Sequence, residues 1–221
     1  MYMEIKFIYT RILPLTLMGL AVFVGLVRQH KLQKSVKIAL LICIINLLSE
    51  IAGYMLTAKG YKNIWLYNIA DVVRYQLWFL YYWASCQQQL QKKYYVYLIV
   101  AFLIVYGITL YYQPLAVFQT ISFIGGGIML LSCAVIFYMN EYRSTSTQKL
   151  TANPHFWIST GLLIYYTLNL PFIGLYNFLF KASPIISKSY FLVCVIGSSL
   201  ILSSFMIKAF VCQPTKPKYG T

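Results

Sequence analysis

Acidic side chains are almost missing from this chain of 221 residues, which has 4 Asp and Glu against 18 Lys and Arg and a formal net charge of +14. A surplus of positive charge on this scale is typical of proteins that bind nucleic acid. Here, however, the basic residues lie in short segments at the ends of long apolar runs, which is the distribution of a protein that crosses a membrane repeatedly. We therefore expect no nucleic-acid partner.

Motifs that carry chemistry are also missing. The 2 histidines, His30 and His155, have no metal-binding spacing, and the sequence has no Asp-rich loop, G-x-S-x-G motif or phosphate-binding glycine loop. A retinal protein needs a lysine in the middle of its last helix, but Lys188 and Lys208 lie at the ends of the last apolar run. We expect neither an enzyme nor a cofactor, and we interpret His155 as a histidine at the membrane interface.

Cysteine is present 5 times, and no two cysteines form a C-x-x-C pair. Most of them lie inside apolar runs, where a thiol is a small packing group. Cys86 and Cys212 lie at the ends of two runs and are the positions open to acylation. We otherwise treat the cysteines as packing residues.

Polar stretches long enough for a soluble domain are missing too, since the chain is 60% hydrophobic and 10% charged, with a mean hydropathy of +0.69. A transmembrane helix needs about 20 apolar residues. Seven runs meet that length, at about 5–27, 36–56, 63–85, 94–113, 116–139, 156–180 and 189–211. Because backbone polar groups in lipid must be satisfied within their own segment, these runs predict an all-α polytopic bundle of seven transmembrane helices.

The whole region 1–211 is expected to form this single transmembrane domain, with 212–221 as a short cytoplasmic tail. The first run is too long for a cleaved signal peptide, and no small-residue cleavage pattern follows it. The longest loop, about 140–155, has no room for a soluble catalytic or effector domain.

Orientation follows from the excess of Lys and Arg on the cytoplasmic side of membrane proteins. The longer basic set is Arg28, Lys31, Lys34, Lys37, Lys92, Lys93, Arg143, Lys149, Lys208, Lys216 and Lys218. The shorter set, on the opposite side, is Lys6, Arg11, Lys59, Lys62, Lys181 and Lys188. This bias predicts an N-terminus outside and a C-terminus inside.

Local signals add detail to three of the helices. Asn153 is placed to cap the sixth helix and Pro154 to open it, while Pro171 is expected to kink it. The three glycines at 125–127 allow a close approach or a bend in the fifth helix. Small residues spaced four apart, which are typical of tight helix packing, are Cys194 with Ser198 and Ser199 with Ser203.

Two charges interrupt the third run. Asp71 and Arg74 lie inside the apolar, aromatic segment 64–80. An ionised group near the bilayer centre costs at least about 2.5–3.5 kcal/mol, so both side chains must face protein or a wet cavity.

Depth along each helix places further polar groups near these charges, at about 1.5 Å per residue. Glu50 is expected roughly 20 Å from the inner surface and Asp71 roughly 12 Å from the outer one, with Arg74 near the midplane. Asn169 reaches roughly the same level as Glu50, beside Pro171. These groups therefore share the outer half of the bilayer.

Helical faces agree with this placement. Asn46, Glu50 and Tyr54 share one face of the second helix, Tyr67, Asp71, Arg74, Tyr75 and Trp78 one face of the third, and Tyr165 and Asn169 one face of the sixth. We expect Arg74 to pair with Asp71, with Glu50 or with both. The candidate ligand-binding or proton-sensing residues are Asn46, Glu50, Asp71, Arg74, Tyr75, Tyr165 and Asn169.

Two interpretations of this set remain open. It is either a structural ion pair that fixes helix packing, or a polar pocket that binds a small ligand or protons. Two acids and one arginine carry a net charge of about −1, and Coulomb repulsion between the acids would make one of them sensitive to protons.

Three motifs together resemble a known group of proteins: Ser49-Glu50, Asp71-x-x-Arg74, and 153–158 (Asn-Pro-His-Phe-Trp-Ile) followed by Gly161 and Tyr165. They are similar to small uncharacterised seven-span membrane proteins of Bacteroidota, some of which look like the membrane part of sensor kinases. The resemblance implies a sensory or partner-coupled role in the inner (plasma) membrane of a bacterium. It carries no site residues of its own.

Two functions therefore compete. The first is a sensory or accessory module that passes a helix shift to a cytoplasmic or membrane signalling partner. The second is a small-solute or proton-coupled transporter that uses the same pocket, which bends at Pro14 and Pro171 would suit. A homo-oligomer is compatible with both, and the lipid bilayer is the expected surrounding of either.

Overall fold

The structure, a computed structural model, describes residues 12–86, 88–143, 150–182 and 190–212, and for residues 89, 90 and 176–182 it describes the backbone alone. Every regular element within these ranges is helical, as the sequence predicts. The helices are α1 (Leu13–Val27), α2 (Lys34–Ala58), α3 (Ile64–Ser85), α4 (Gln89–Tyr112), α5 (Thr120–Arg143), α6 (Pro154–Ala182) and α7 (Ser198–Val211). A π-helical segment, Phe191–Gly197, leads directly into α7.

Five of these segments are long and apolar enough to cross a membrane, by length and composition: Lys34–Ala58, Gln91–Tyr112, Thr120–Arg143, Pro154–Leu175 and Phe191–Val211. The described part of α1 is a shorter apolar helix of 15 residues. Helix α3 has 22 residues but is more polar, since it contains Asn68, Asp71, Arg74 and Gln76. The helix that carries the charges is thus the least apolar of the long ones.

The helices form a ring in which each packs against the next in sequence, and α7 returns to contact α1 and close it. Helix α3 also contacts α5, so it lies toward the inside of the ring. Its buried aromatic side chains Tyr75, Trp78, Phe79, Tyr81 and Tyr82 form much of the core. Because consecutive helices run in opposite directions, α2 and α6 begin at the end of the bundle where α3 and α7 finish.

Local signals at two helix starts are visible in the structure. Asn153 Oδ1 accepts a hydrogen bond of 3.0 Å from the His155 amide, and α6 begins at Pro154, as the sequence predicts. Between α2 and α3 the chain turns at Gly60, whose φ of +79° is one that glycine adopts without strain. Asn63 holds this turn, because its amide nitrogen donates to the Gly53 carbonyl at 3.1 Å and to Thr57 Oγ1 at 3.0 Å.

Several predicted features lie outside the described residues. They are the start of the first run before residue 12, the tail after Cys212, and the side chains of Lys6, Arg11, Lys149, Lys181, Lys188, Lys216 and Lys218. Pro171 lies inside α6, and the kink expected there stays a prediction.

Candidate functional site between α2 and α3

The centre of the site is an ion pair within α3. The guanidinium of Arg74 donates to Asp71 Oδ1, one helical turn earlier, and its other terminal nitrogen donates to Asn46 Oδ1 of α2 at 2.8 Å. The two charged side chains are 23% (Arg74) and 19% (Asp71) exposed. Arg74 therefore has a charged partner in its own helix and a neutral partner in the neighbouring helix.

Glu50 lies on the same face of α2 as Asn46, one turn further along the helix. Its Oε2 accepts a hydrogen bond of 3.2 Å from the Tyr67 hydroxyl of α3. Within the part of the chain that the structure describes, Arg74 pairs with Asp71 and not with Glu50. The five side chains Asn46, Glu50, Tyr67, Asp71 and Arg74 are called the polar cluster below.

The polar cluster depends on the glycine at position 53, which has no side chain. A Cβ atom at Gly53 would lie 2.3 Å from the Tyr67 hydroxyl oxygen and 2.8 Å from its ring carbon Cζ. Only glycine leaves the space through which Tyr67 reaches Glu50. The nearby turn, held by Asn63, fixes the register of α2 against α3 and so the height at which the two side chains meet.

Tyr75, a predicted site residue, points away from the polar cluster. It is 2% exposed, and its hydroxyl donates to the Phe123 carbonyl of α5 at 2.9 Å. A Cβ atom at Gly126 would lie 2.7 Å from the Tyr75 ring, so the glycine stretch at 125–127 provides the close approach that the sequence predicts. In this structure Tyr75 joins α3 to α5.

Asn169, another predicted site residue, makes its hydrogen bonds outside the polar cluster. It is 1% exposed, and its amide nitrogen donates at 2.7 Å both to the Tyr165 carbonyl and to Ser198 Oγ of α7. Ser198 is the first residue of α7 after the π-helical segment, and it also bonds to the Cys194 carbonyl. Asn169 thus joins α6 to α7 and forms no hydrogen bond to the polar cluster.

Tyr165 lies between these two groups. Its carbonyl accepts the bond from Asn169, and its hydroxyl lies within the electrostatic range of Arg74 and Glu50. The predicted residues therefore separate into those of the polar cluster, Asn169 with its neighbour Tyr165 on the side of α7, and Tyr75 on the side of α5.

A second polar junction lies at the opposite end of α3. The Tyr81 hydroxyl is 2.7 Å from His155 Nδ1, and His155 Nε2 is 3.1 Å from Gln33 Oε1 at the start of α2. Since Gln33 Oε1 only accepts, Nε2 carries the proton and Nδ1 accepts from Tyr81. His155 joins the starts of α2 and α6 to the end of α3, and its place at the membrane interface stays a prediction.

Sequence reasoning missed three residues that the structure brings into these groups. Tyr67 was placed on the correct face of α3 but not among the candidate residues, although a deep tyrosine hydroxyl needs a partner. Ser198 was interpreted as a packing position only. Gln33 has no local signal, since its role arises from a neighbour 122 positions away in the chain.

Metal binding finds no support in the described ranges, where no three His, Cys, Asp or Glu residues lie close enough together to hold an ion. The polar cluster can instead exchange protons or bind a small polar molecule, since it presents two carboxylates, a guanidinium, an amide and a phenol in one place.

The chain matches no family model, no curated protein and no solved structure in the comparisons with known proteins.

Proposed function

We propose that this chain is a multi-pass protein of a bacterial inner membrane that acts as a sensory or partner-coupled accessory module. It would span the bilayer seven times, with its N-terminus outside and its C-terminus inside. The observation that supports this most is the polar cluster, in which two neighbouring helices hold a glutamate, an aspartate and an arginine within long, largely apolar segments. Charged side chains inside a membrane are costly, and ionisable residues in transmembrane helices commonly have a functional role.

Glu50 is the residue that we expect to respond. Arg74 is already bonded by Asp71 and Asn46, whereas Glu50 is held by a neutral hydroxyl. A proton or a small cationic ligand that neutralised Glu50 would therefore change the net charge of the cluster without breaking the ion pair. The bond from Tyr67 would weaken, because a hydrogen bond to a carboxylate is roughly twice as strong as one to a neutral acceptor.

Helix α3 is the element suited to pass this change on. Its first half carries Tyr67, Asp71 and Arg74, and its last turn carries Tyr81, which bonds to His155 at the start of α6. A shift of α3 along its axis would alter both junctions together. The helix ends affected are the starts of α2 and α6. The basic loop after α1 and the loop at 140–155 lie next to these ends, and we propose these two loops as the docking surfaces for a partner.

An infrared titration of the purified protein in lipid nanodiscs tests the response of Glu50. We expect the difference spectrum between the wild type and Glu50→Gln to contain one carboxyl band that depends on pH. Glu141→Gln, which removes an acid at the end of α5, is the matched control and should leave that band in place. The same pH-dependent band in Glu50→Gln would overturn the assignment of Glu50.

Hydrogen exchange then tests transmission. If the module is sensory, Glu50→Gln should change the rate of amide exchange near the substitution and also at the start of α6, toward the opposite end of the bundle. A change confined to α2 and α3 around residue 50 would leave a structural role for the polar cluster and argue against signalling.

Transport is the second candidate, and one observation favours it. Pro171 interrupts the hydrogen bonding of α6 close to the π-helical segment Phe191–Gly197, and the two irregular stretches are joined by Asn169 and Ser198. Helices with a local irregularity are frequent at functional sites, including the substrate sites of transporters. Proton-coupled uptake into proteoliposomes that Asp71→Asn abolishes would establish transport in place of sensing.

A further inference from the structure

A shallow groove lies at the end of the bundle where α2 and α6 begin and α7 finishes. It is lined by Lys31, Leu32, Gln33, Val36, Pro154, Ala209 and Cys212, and its volume of about 10 Å³ has room for about one water molecule. These seven residues define the basic-end groove. Val36 lies in the first turn of α2, ahead of Asn46 and Glu50 on the same helix, and neither the ion pair nor the Glu50 contact uses any residue of the groove.

Positive charge surrounds this groove. Lys31 lines it, and Lys34 and Lys37 are exposed on the first turn of α2 beside it. Lys208 is exposed on the last turn of α7, with its Nζ 5.9 Å from the centre of the Trp157 ring. Arg28 reaches the same place, since its guanidinium donates to the carbonyl of Val211.

Negative charge is scarce there. No wall residue of the groove is acidic. Of the three acids in the described ranges, Glu50 and Asp71 belong to the polar cluster, and Glu141 lies at the end of α5, where it accepts a bond of 3.3 Å from Asn153. The lysines around the groove are therefore available to an anion from outside the chain.

The Cys212 thiol belongs to the wall without adding charge. Burial raises its pKa above the ordinary value, and the nearby Lys208 and Arg28 only partly oppose that shift. A thiol with a raised pKa stays neutral at physiological pH, so it leaves the positive field of the groove intact.

Two exposed apolar side chains lie at helix ends on this end of the bundle. Val27, at the end of α1, is 65% exposed, and Val211, at the end of α7, is 43% exposed. A small soluble anion would contact the lysines but not these valines. A molecule with an anionic head and hydrocarbon chains would contact both, and tryptophan with lysine at a helix end is the arrangement that membrane proteins use at the headgroup level.

We propose that the phosphate headgroup of an anionic phospholipid lies over the mouth of the basic-end groove, with Lys31 and Lys208 as its principal cationic contacts and the acyl chains against Val27 and Val211. Clefts between transmembrane helices that carry basic residues bind anionic headgroups in this way. The proposal rests on the membrane-spanning part of the proposed function and is independent of the sensory role of Glu50.

Native mass spectrometry of the full chain tests it. The protein is released from nanodiscs that contain phosphatidylglycerol and phosphatidylcholine in equal amounts, and the retained lipids are counted. We expect the wild type to retain phosphatidylglycerol preferentially and the double variant Lys31→Gln/Lys208→Gln to lose that preference by about fivefold per lysine. The charge-preserving variant Lys31→Arg/Lys208→Arg should keep it.

The matched control is Lys59→Gln/Lys62→Gln, which removes two exposed lysines at the opposite end of the bundle. It should leave the preference unchanged. An equal loss in this control would show attraction by net charge alone and would overturn the groove, as would a preference that survives in Lys31→Gln/Lys208→Gln.

Two further outcomes also decide against a lipid. Displacement of phosphatidylglycerol by soluble glycerol phosphate at similar concentration would assign the groove to a soluble anion, and displacement by an acidic peptide would assign it to a protein partner. Failure of the Glu50 titration with an intact lipid preference would overturn the sensory function and leave the groove standing.

Discussion

The hydroxyl of Tyr67 donates a hydrogen bond of 3.2 Å to Oε2 of Glu50, from one helix to its neighbour. The contact exists because α2 carries glycine at position 53, where a Cβ atom would lie 2.3 Å from that hydroxyl. It ties an acid inside the bundle to the same helix that carries Asp71 and Arg74. The chemistry of the polar cluster therefore depends on a residue that has no side chain.

Gly53→Ala should push Tyr67 away from Glu50 and destabilise the protein by about 1–3 kcal/mol, because the added methyl overpacks the helix interface. Thermal unfolding in detergent measures the effect. Gly107→Ala is the control, since no atom lies within 4 Å of its Cβ position. It should not destabilise the protein, because alanine is favoured over glycine inside a helix by roughly 0.5–1 kcal/mol. Equal effects of the two substitutions would show that the contact contributes nothing.

The ion pair should behave as a coupled unit. Arg74→Gln leaves Asp71 without its cation and is expected to cost about 1–3 kcal/mol, less than a fully buried pair because both side chains keep some solvent contact. Asp71→Asn/Arg74→Gln should recover part of that loss, since no isolated charge remains. A double-mutant cycle from unfolding data measures the coupling, and strictly additive effects would contradict it.

Ser198→Ala should weaken the joint between α6 and α7. It removes a buried partner of the Asn169 amide, which costs about 1–3 kcal/mol when the group is left unsatisfied. Ser199→Ala removes the neighbouring hydroxyl, which bonds only to the Ile196 carbonyl in its own helix, and should cost well under about 1 kcal/mol. If the two substitutions lower the stability equally, the hydrogen bond between Asn169 and Ser198 does not stabilise the protein.

Asn68→Ala should loosen the connection between α4 and α5. The Asn68 amide donates at 2.8 Å to the carbonyls of Leu115 and Val117, and its oxygen accepts from the Gln119 amide at 3.4 Å. Hydrogen exchange at 115–119 should therefore become faster. Gln76→Ala, which removes a single contact of 3.4 Å to α4, is the control and should leave that segment as protected as before.

His155→Ala should separate the starts of α2 and α6 from the end of α3, because it deletes the contacts with Gln33 and Tyr81. We expect a loss of about 1–3 kcal/mol in stability, measured by thermal unfolding. His30→Ala changes an exposed histidine in the short segment before α2 and should have little effect. If neither substitution changes the thermal stability, the contacts of His155 with Gln33 and Tyr81 do not stabilise the bundle.

Much of the architecture could be predicted because it depends on residues that are close together in the sequence. The apolar runs predict helices, and the observed ends of α2 and α3 lie within a few residues of those expected. The pairing of Asp71 with Arg74 is also local, since residues three apart meet on one helix face. The start of α6 at Asn153 and Pro154 follows from capping chemistry.

Contacts between helices could be predicted only in part. Shared faces placed Asn46 and Glu50 toward α3, but the partner of each depends on the register that Gly60 and Asn63 impose on the turn. The bond between Asn169 and Ser198 depends on how α7 lies against α6, and the π-helical segment before Ser198 leaves no mark in the hydropathy pattern.

By itself, the sequence determined that the chain forms apolar helices and that the charges of α3 lie inside one of them, because hydropathy and helical period act over a few residues. Only the tertiary structure decided that Tyr67 holds Glu50, that Asn169 belongs with α7, and that His155 joins three helix ends. The physical reason is that these partners are chosen by helix rotation and register, which depend on side-chain packing across the whole bundle.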